Sequence, residues 1–85
     1  MSLSNKIKAF LKLRGVKAKD YAVKLNLSSP SVLDNKYRRQ SFTAQDLIKL
    51  ADLTGTRLAF IDMNDKPVIV FDNEDLEDNK KKPRD

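Results

Sequence analysis

The chain contains no cysteine and no histidine. The first absence removes disulfides and thiolate metal sites, and it suits a reducing compartment. The second removes the commonest general base and the commonest metal ligand. Tryptophan is missing as well, and two tyrosines and four phenylalanines are the only aromatic residues among 85. The core of what must be one small domain therefore has to come mainly from Leu, Ile, Val and Ala. Such a domain is marginal alone and would gain from a partner subunit. No apolar run approaches the roughly 20 residues of a membrane span, and the N-terminus lacks the apolar block of a secretion signal, so a soluble, cytoplasmic protein is expected. The carboxylates Asp72, Glu74, Asp75, Glu77 and Asp78 lie in a polar stretch with no positioned base. No catalytic role, metal or cofactor is therefore expected.

The formal net charge of +5 is unevenly spread. Residues 1–40 carry ten Lys and Arg against Asp20 and Asp34, an excess of eight positive charges, and the rest of the chain carries a net −3. Cationic charge gathered on one segment is the electrostatic footprint of a polyanion partner, because each neutralised phosphate releases condensed counterions. A solvated lysine-rich face would carry the same charge without that role.

Apolar spacing predicts four helices. Ile7, Phe10 and Leu11 recur at helical intervals with Arg14 and predict a helix over 4–14, with Ser4 available as its N-cap, ending before Gly15. A second helix is predicted over 17–25, burying Tyr21, Ala22 and Leu25, with Asn26 suited to the left-handed conformation that ends it. Ser28 or Ser29 would cap a third over 29–38, with Pro30 in its first turn, where a missing N–H costs nothing. Thr43, with Asp46 three residues on, forms a variant capping box for a fourth over 43–54. Phe42 would staple to Leu47, and Gly55 would stop the helix. Leu47, Ile48, Leu50 and Ala51 supply its apolar face. Beyond Gly55 the pattern turns extended, and 57–62 and 68–72 read as a hairpin that must lie on the helices or join strands of another subunit. Residues 1–72 thus form the domain, and 73–85, first acidic and then basic, read as a disordered tail.

The stretch Gly15-Val16-Lys17-Ala18-Lys19-Asp20-Tyr21-Ala22-Val23-Lys24-Leu25-Asn26-Leu27-Ser28-Ser29-Pro30-Ser31-Val32 resembles the helix-turn-helix of the lambda-repressor and Cro-like (XRE-like) regulators. That pattern runs Gly-Leu-Thr-Gln, an acidic pair, Leu-Ala-x-x-Leu-Gly-Val-Ser, three variable residues and Ile. Phe42, Asp46, Leu47, Leu50, Ala51, Gly55 and Leu58 resemble the next helix and its exit, so the likeness covers residues 4 to about 60. It implies a mainly α fold, a four-helix lambda-repressor-like domain followed here by a C-terminal β-hairpin. Leu27 would plug the turn and Val32 would anchor helix three. Ala18 stands where the family places a phosphate-binding Gln. Asn35 stands where a large aliphatic residue closes the core, which leaves helix three rotated, shortened or packed through Leu33 and Tyr37. The strand pair is similar to the Cro-like subset, whose C-terminal strands pair between subunits.

The resemblance implies a repressor-like regulator that binds double-stranded DNA as a homodimer. Ser28, Ser29, Pro30, Leu33, Asp34 and Tyr37 would line the major-groove face of helix three, with Asp34 able to accept from a cytosine amine and Pro30 able to touch a thymine methyl. Lys36, Arg38, Arg39 and Gln40 would meet phosphates at the end of that helix, and Lys17, Lys19 and Lys24 would flank the other backbone. Each has a plainer reading: Tyr37 as packing, Asp34 as the ion-pair partner of Arg38 one turn on, Asn35 as a local hydrogen-bonding group. The set lacks an Arg or Gln for bidentate base discrimination. The competing reading is therefore an adaptor or antitoxin-like module that uses the same fold against another protein.

Overall fold

Ser2 begins the first helix. Its hydroxyl accepts from the Asn5 amide at 3.1 Å, and the computed structural model, which describes residues 2–76, runs helix α1 over Leu3–Leu13. Ser4 was expected to cap this helix. It is buried instead, and its hydroxyl donates to the Tyr37 carbonyl at the far end of the third helix. Ile7 and Leu11, one turn apart, are the buried face of α1. Arg14 closes the helix and donates through Nε (3.2 Å) and Nη2 (3.1 Å) to the Thr54 carbonyl. A cation there offsets the negative end of the fourth helix dipole.

Helix α2 spans Ala18–Lys24 and buries Tyr21 and Ala22. Leu25 is buried just beyond it, and Asn26 takes the left-handed conformation (φ 60°) expected of it. The Leu27 amide then donates to Ala22 O at 3.0 Å, which brings the half-buried Leu27 side chain against the core. Helix α3 runs over Pro30–Arg39, with Pro30 in its first turn and Gln40 as a left-handed cap (φ 52°). Ser29 occupies the N-cap position but makes no capping bond; its hydroxyl pairs with that of Ser31 at 2.8 Å.

The inward face of α3 departs from the Val32 anchor. Leu33 (1 % exposed) and Tyr37, four residues later, fill the core, and Val32 is only half-buried on the flank. One residue is about 100° of helix, so this choice of phase turns every other side chain of α3. Nonlocal packing fixes it. Phe42 stacks on Tyr21, with centroids 6.3 Å apart, and meets the tilted Tyr37 ring at 5.4 Å. Burying Leu33 fully contributes about 1.5–3 kcal/mol, more than the partial cover given to Val32.

Helix α4 covers Ala44–Thr54 behind the capping box anticipated from Thr43 and Asp46. Thr43 Oγ1 accepts from the Asp46 amide at 3.1 Å and Asp46 Oδ2 accepts from the Thr43 amide at 3.0 Å. Ile48, Leu50 and Ala51 are buried, and Gly55 ends the helix at φ 73°. Strands β1 (Leu58–Ile61) and β2 (Pro67–Phe71) then pair antiparallel, with the register breaking between Phe60 and Ile61. Their turn is organised by Asp62, whose Oδ1 accepts from the Asn64 and Lys66 amides at 2.8 and 3.0 Å. The result is a small, mainly helical domain with a two-stranded hairpin. Residues 73–76, assigned from sequence to a disordered tail, form a helical turn that Asp72 opens by accepting from the Glu74 amide at 3.0 Å. The rest of that tail lies outside the described residues. No helix among the described residues is long and apolar enough to cross a membrane.

Candidate functional site

Because Leu33 and Tyr37 point inward, α3 turns Ser31 and Asn35 outward, with Asp34 and Arg38 on one side of that stripe and Arg39 on the other. All five are exposed. Of the residues assigned to base reading, Ser28, Pro30 and Asp34 are exposed and Ser29 is half-buried. Leu33 and Tyr37 are withdrawn from that list: at 1 % and 8 % exposure they are core side chains and cannot reach a partner. Ser31 and Asn35 take their place on the outer stripe. A helical wheel phased on Leu33 and Tyr37 rather than on Val32 would have found both.

The cationic set divides as sharply. Lys24 and Lys36 were expected to meet phosphates, but α4 supplies each with a carboxylate. Lys24 Nζ lies 2.5 Å from Asp52 Oδ2, and the hydrogen bond from that ammonium holds Asp52 below the usual carboxylate range. Lys36 Nζ lies 2.9 Å from Asp46 Oδ2, and the Lys36 side chain is largely covered. Releasing Lys36 would leave the largely covered Asp46 without its cation, whereas Asp52 is exposed and water would replace Lys24, so the Lys24 pair is the weaker tie. Arg14 is likewise committed to Thr54. What remains at the end of α3 is Arg38 and Arg39, both exposed and in no ion pair among the described residues, followed by Gln40. Arg38 does not pair with Asp34; its Nη2 donates to Asn35 Oδ1, a local bond of the kind the plainer reading of Asn35 anticipated. Gln40 is held by the Ser4 amide, which donates to its Oε1 at 3.4 Å. At the start of α2, Lys17 is the N-cap residue and Lys19 lies in the first turn. Both are exposed, and neither is in an ion pair among the described residues.

Asp46 joins three helices. Its carboxylate serves the α4 cap and Lys36 of α3, and its carbonyl accepts from the Tyr21 hydroxyl of α2 at 2.8 Å. Burial, helped by the negative charge of Asp46, pushes the Tyr21 hydroxyl well above the ordinary tyrosine range. Burial and then Asp34 raise Tyr37. Both tyrosines are therefore neutral at physiological pH, and Tyr37 is the base of a cation–π contact with Lys8, whose Nζ stands 4.8 Å from the ring centroid.

A second surface is the hairpin, which the sequence expected to lie on the helices or to join strands of another subunit. Phe60, Ile61, Met63, Val68 and Ile69 are all exposed, Met63 completely so. An apolar cleft of about 290 Å³ opens between α4 and the hairpin, lined by Ala44, Leu47, Ile48, Leu58, Phe60 and Phe71. These side chains leave an apolar face on the hairpin uncovered by the helices.

No protein-family model, no curated protein and no solved structure matches this chain.

Proposed function

We propose that the chain is a small, repressor-like DNA-binding regulator, with α2 and α3 acting as a helix-turn-helix and α3 entering the major groove of a duplex. The observation that carries this reading is the outward stripe of α3. Ser31, Asp34, Asn35 and Arg38 stand uncovered along one face, and the helix ends in two arginines that are in no ion pair among the described residues. A rod of this kind suits a groove about 12 Å wide. Asn35, whose Oδ1 holds Arg38, keeps its Nδ2 free to donate to a purine N7, and Asp34 can accept from cytosine. Arg38 and Arg39 take phosphates, with Lys17 and Lys19 on the flank. In this reading the hairpin pairs two copies, and their helices address successive grooves roughly 34 Å apart.

The test is selection of bound sequences from random duplex DNA, run beside a variant with Arg38→Ala and Arg39→Ala. The expected result is an enriched, two-fold symmetric sequence. In the double variant the salt dependence of log K should fall by about 2, since each phosphate contact contributes a slope of about 0.9. The exposed apolar hairpin supports a second reading, in which the domain is an adaptor or antitoxin-like module that grips another protein. No enrichment, together with unchanged affinity in the double variant, would select that reading.

A further inference from the structure

Between the start of α1 and the end of α3 lies an open polar groove of about 550 Å³, bordered by Asn5, Lys8, Asp34, Tyr37, Arg38 and Gln40. The sequence reading assigned Arg38 and Gln40 to phosphates and Asp34 and Tyr37 to bases, but the α1 side of the groove was not foreseen, and Lys8 belongs to neither of the contact sets assigned above. Its two cations differ from those on the α4 side of the molecule. Lys24 and Lys36 face carboxylates, whereas Lys8 and Arg38 are in no ion pair among the described residues. Nor do they wave free. The Lys8 ammonium is held over the Tyr37 ring, and one arm of the Arg38 guanidinium is held by Asn35. That anchor leaves the other guanidinium N–H groups available, and a pre-positioned cation loses less side-chain entropy on meeting an anion. Gln40 spends its Oε1 on the Ser4 amide, which leaves its amide nitrogen as a donor. The first-turn amides of α1 are mostly occupied, Asn5 by Ser2 Oγ and Lys6 by Ser2 O. The side chains, not the helix end, supply the attraction.

We infer that this groove is a phosphate seat, with Lys8 and Arg38 as its paired cations and the side-chain amides of Asn5 and Gln40 as its neutral donors. The groove is open to solvent, so a phosphate can enter with whatever group is attached to it. Asp34, the single carboxylate on the border, leaves a net lining charge of +1 and keeps the seat weak for a free ion. The phosphate comes either from the backbone of a bound duplex, in which case the inference rests on the function proposed above, or from a free phosphorylated molecule.

Two arms separate these sources in the full chain. In the first, inorganic phosphate is titrated while amide resonances are followed. The amides of Asn5, Lys8, Arg38 and Gln40 should shift together at millimolar concentration, weaken several-fold in Lys8→Gln and tighten in Asp34→Asn. In the second, duplex binding is measured against salt, where Lys8→Gln should lower the slope of log K by about 0.9 while the folded spectrum is kept. Shifts without a slope change assign the seat to a free anion. A slope change, with or without shifts, assigns it to the duplex. Should the chain bind no DNA, the function falls and the first arm alone decides the seat. Phosphate affinity unchanged in Lys8→Gln together with an unchanged slope, or no response in either arm, overturns the inference.

Discussion

The two tyrosines make a matched experiment, because the same atom is removed from two buried rings with opposite consequences. The Tyr21 hydroxyl donates to Asp46 O at 2.8 Å. The Tyr37 hydroxyl is buried and has no hydrogen-bond partner among the described residues. Both rings pack on Phe42, and phenylalanine keeps that packing in either place. Tyr21→Phe deletes one satisfied neutral hydrogen bond and should cost about 1 kcal/mol. Tyr37→Phe removes a stranded donor whose desolvation costs about 1–3 kcal/mol, so it should stabilise by about 1 kcal/mol or more. In a domain of this size 1 kcal/mol moves Tm by about 4–8 °C, so the two variants should fall on opposite sides of the parent, roughly 10 °C apart. With no tryptophan to report, urea and thermal unfolding are best followed by far-ultraviolet circular dichroism, with an unchanged m-value as the check that only stability has moved. A Tyr37→Phe variant less stable than the parent would refute the reasoning, since it would mean that its hydroxyl is satisfied.

Raising the pH should unfold the domain through the same two residues. Their folded pKa values lie above the unfolded value of about 10, so the stability they contribute is intact below pH 10 and falls as the pH rises beyond it. Tyrosinate absorbance at 295 nm should appear together with the loss of helical signal; ionisation of a folded chain near pH 10 would contradict the burial. Gln40→Gly relieves a left-handed residue at φ 52° and loses only a 3.4 Å bond, so the urea midpoint should rise by the equivalent of about 0.5–1 kcal/mol. Thr43→Ala breaks half of the α4 capping box and should cost about 1 kcal/mol in the same assay, whereas Thr43→Ser should cost little.

What could be read from the sequence is what neighbouring residues decide among themselves. The Thr43–Asp46 box, Gly55 as a stop, the left-handed Asn26 and the period change after Gly55 all rest on separations of a few residues, and each is present. The phase of α3 was left open: packing through Leu33 and Tyr37 stood beside the Val32 anchor as an alternative, and the sequence could not choose between them. Val32 and Leu33 are adjacent and both aliphatic, and the choice between them is made by Tyr21 and Phe42, which lie well outside the helix. That choice removed Leu33 and Tyr37 from the candidate contacts and brought in Ser31 and Asn35. The fates of Lys24 and Lys36 were hidden for a related reason. Their carboxylate partners are 28 and 10 residues distant, and only the docking of α4 brings them within reach. Charge counting located the cationic half of the chain but could not say which cations were already spent.

Helix α1 is tied at both ends. Ser4 bonds the last turn of α3, and Arg14 bonds the last residue of α4. It therefore acts as a tie-rod: α3 cannot shift against α4 without stretching or tilting the rod, so load applied at one end is felt at the other. Anything gripping α3 more firmly in one rod position must, by thermodynamic reciprocity, alter by the same free energy the hold of whatever grips α4 and the sheet beside it.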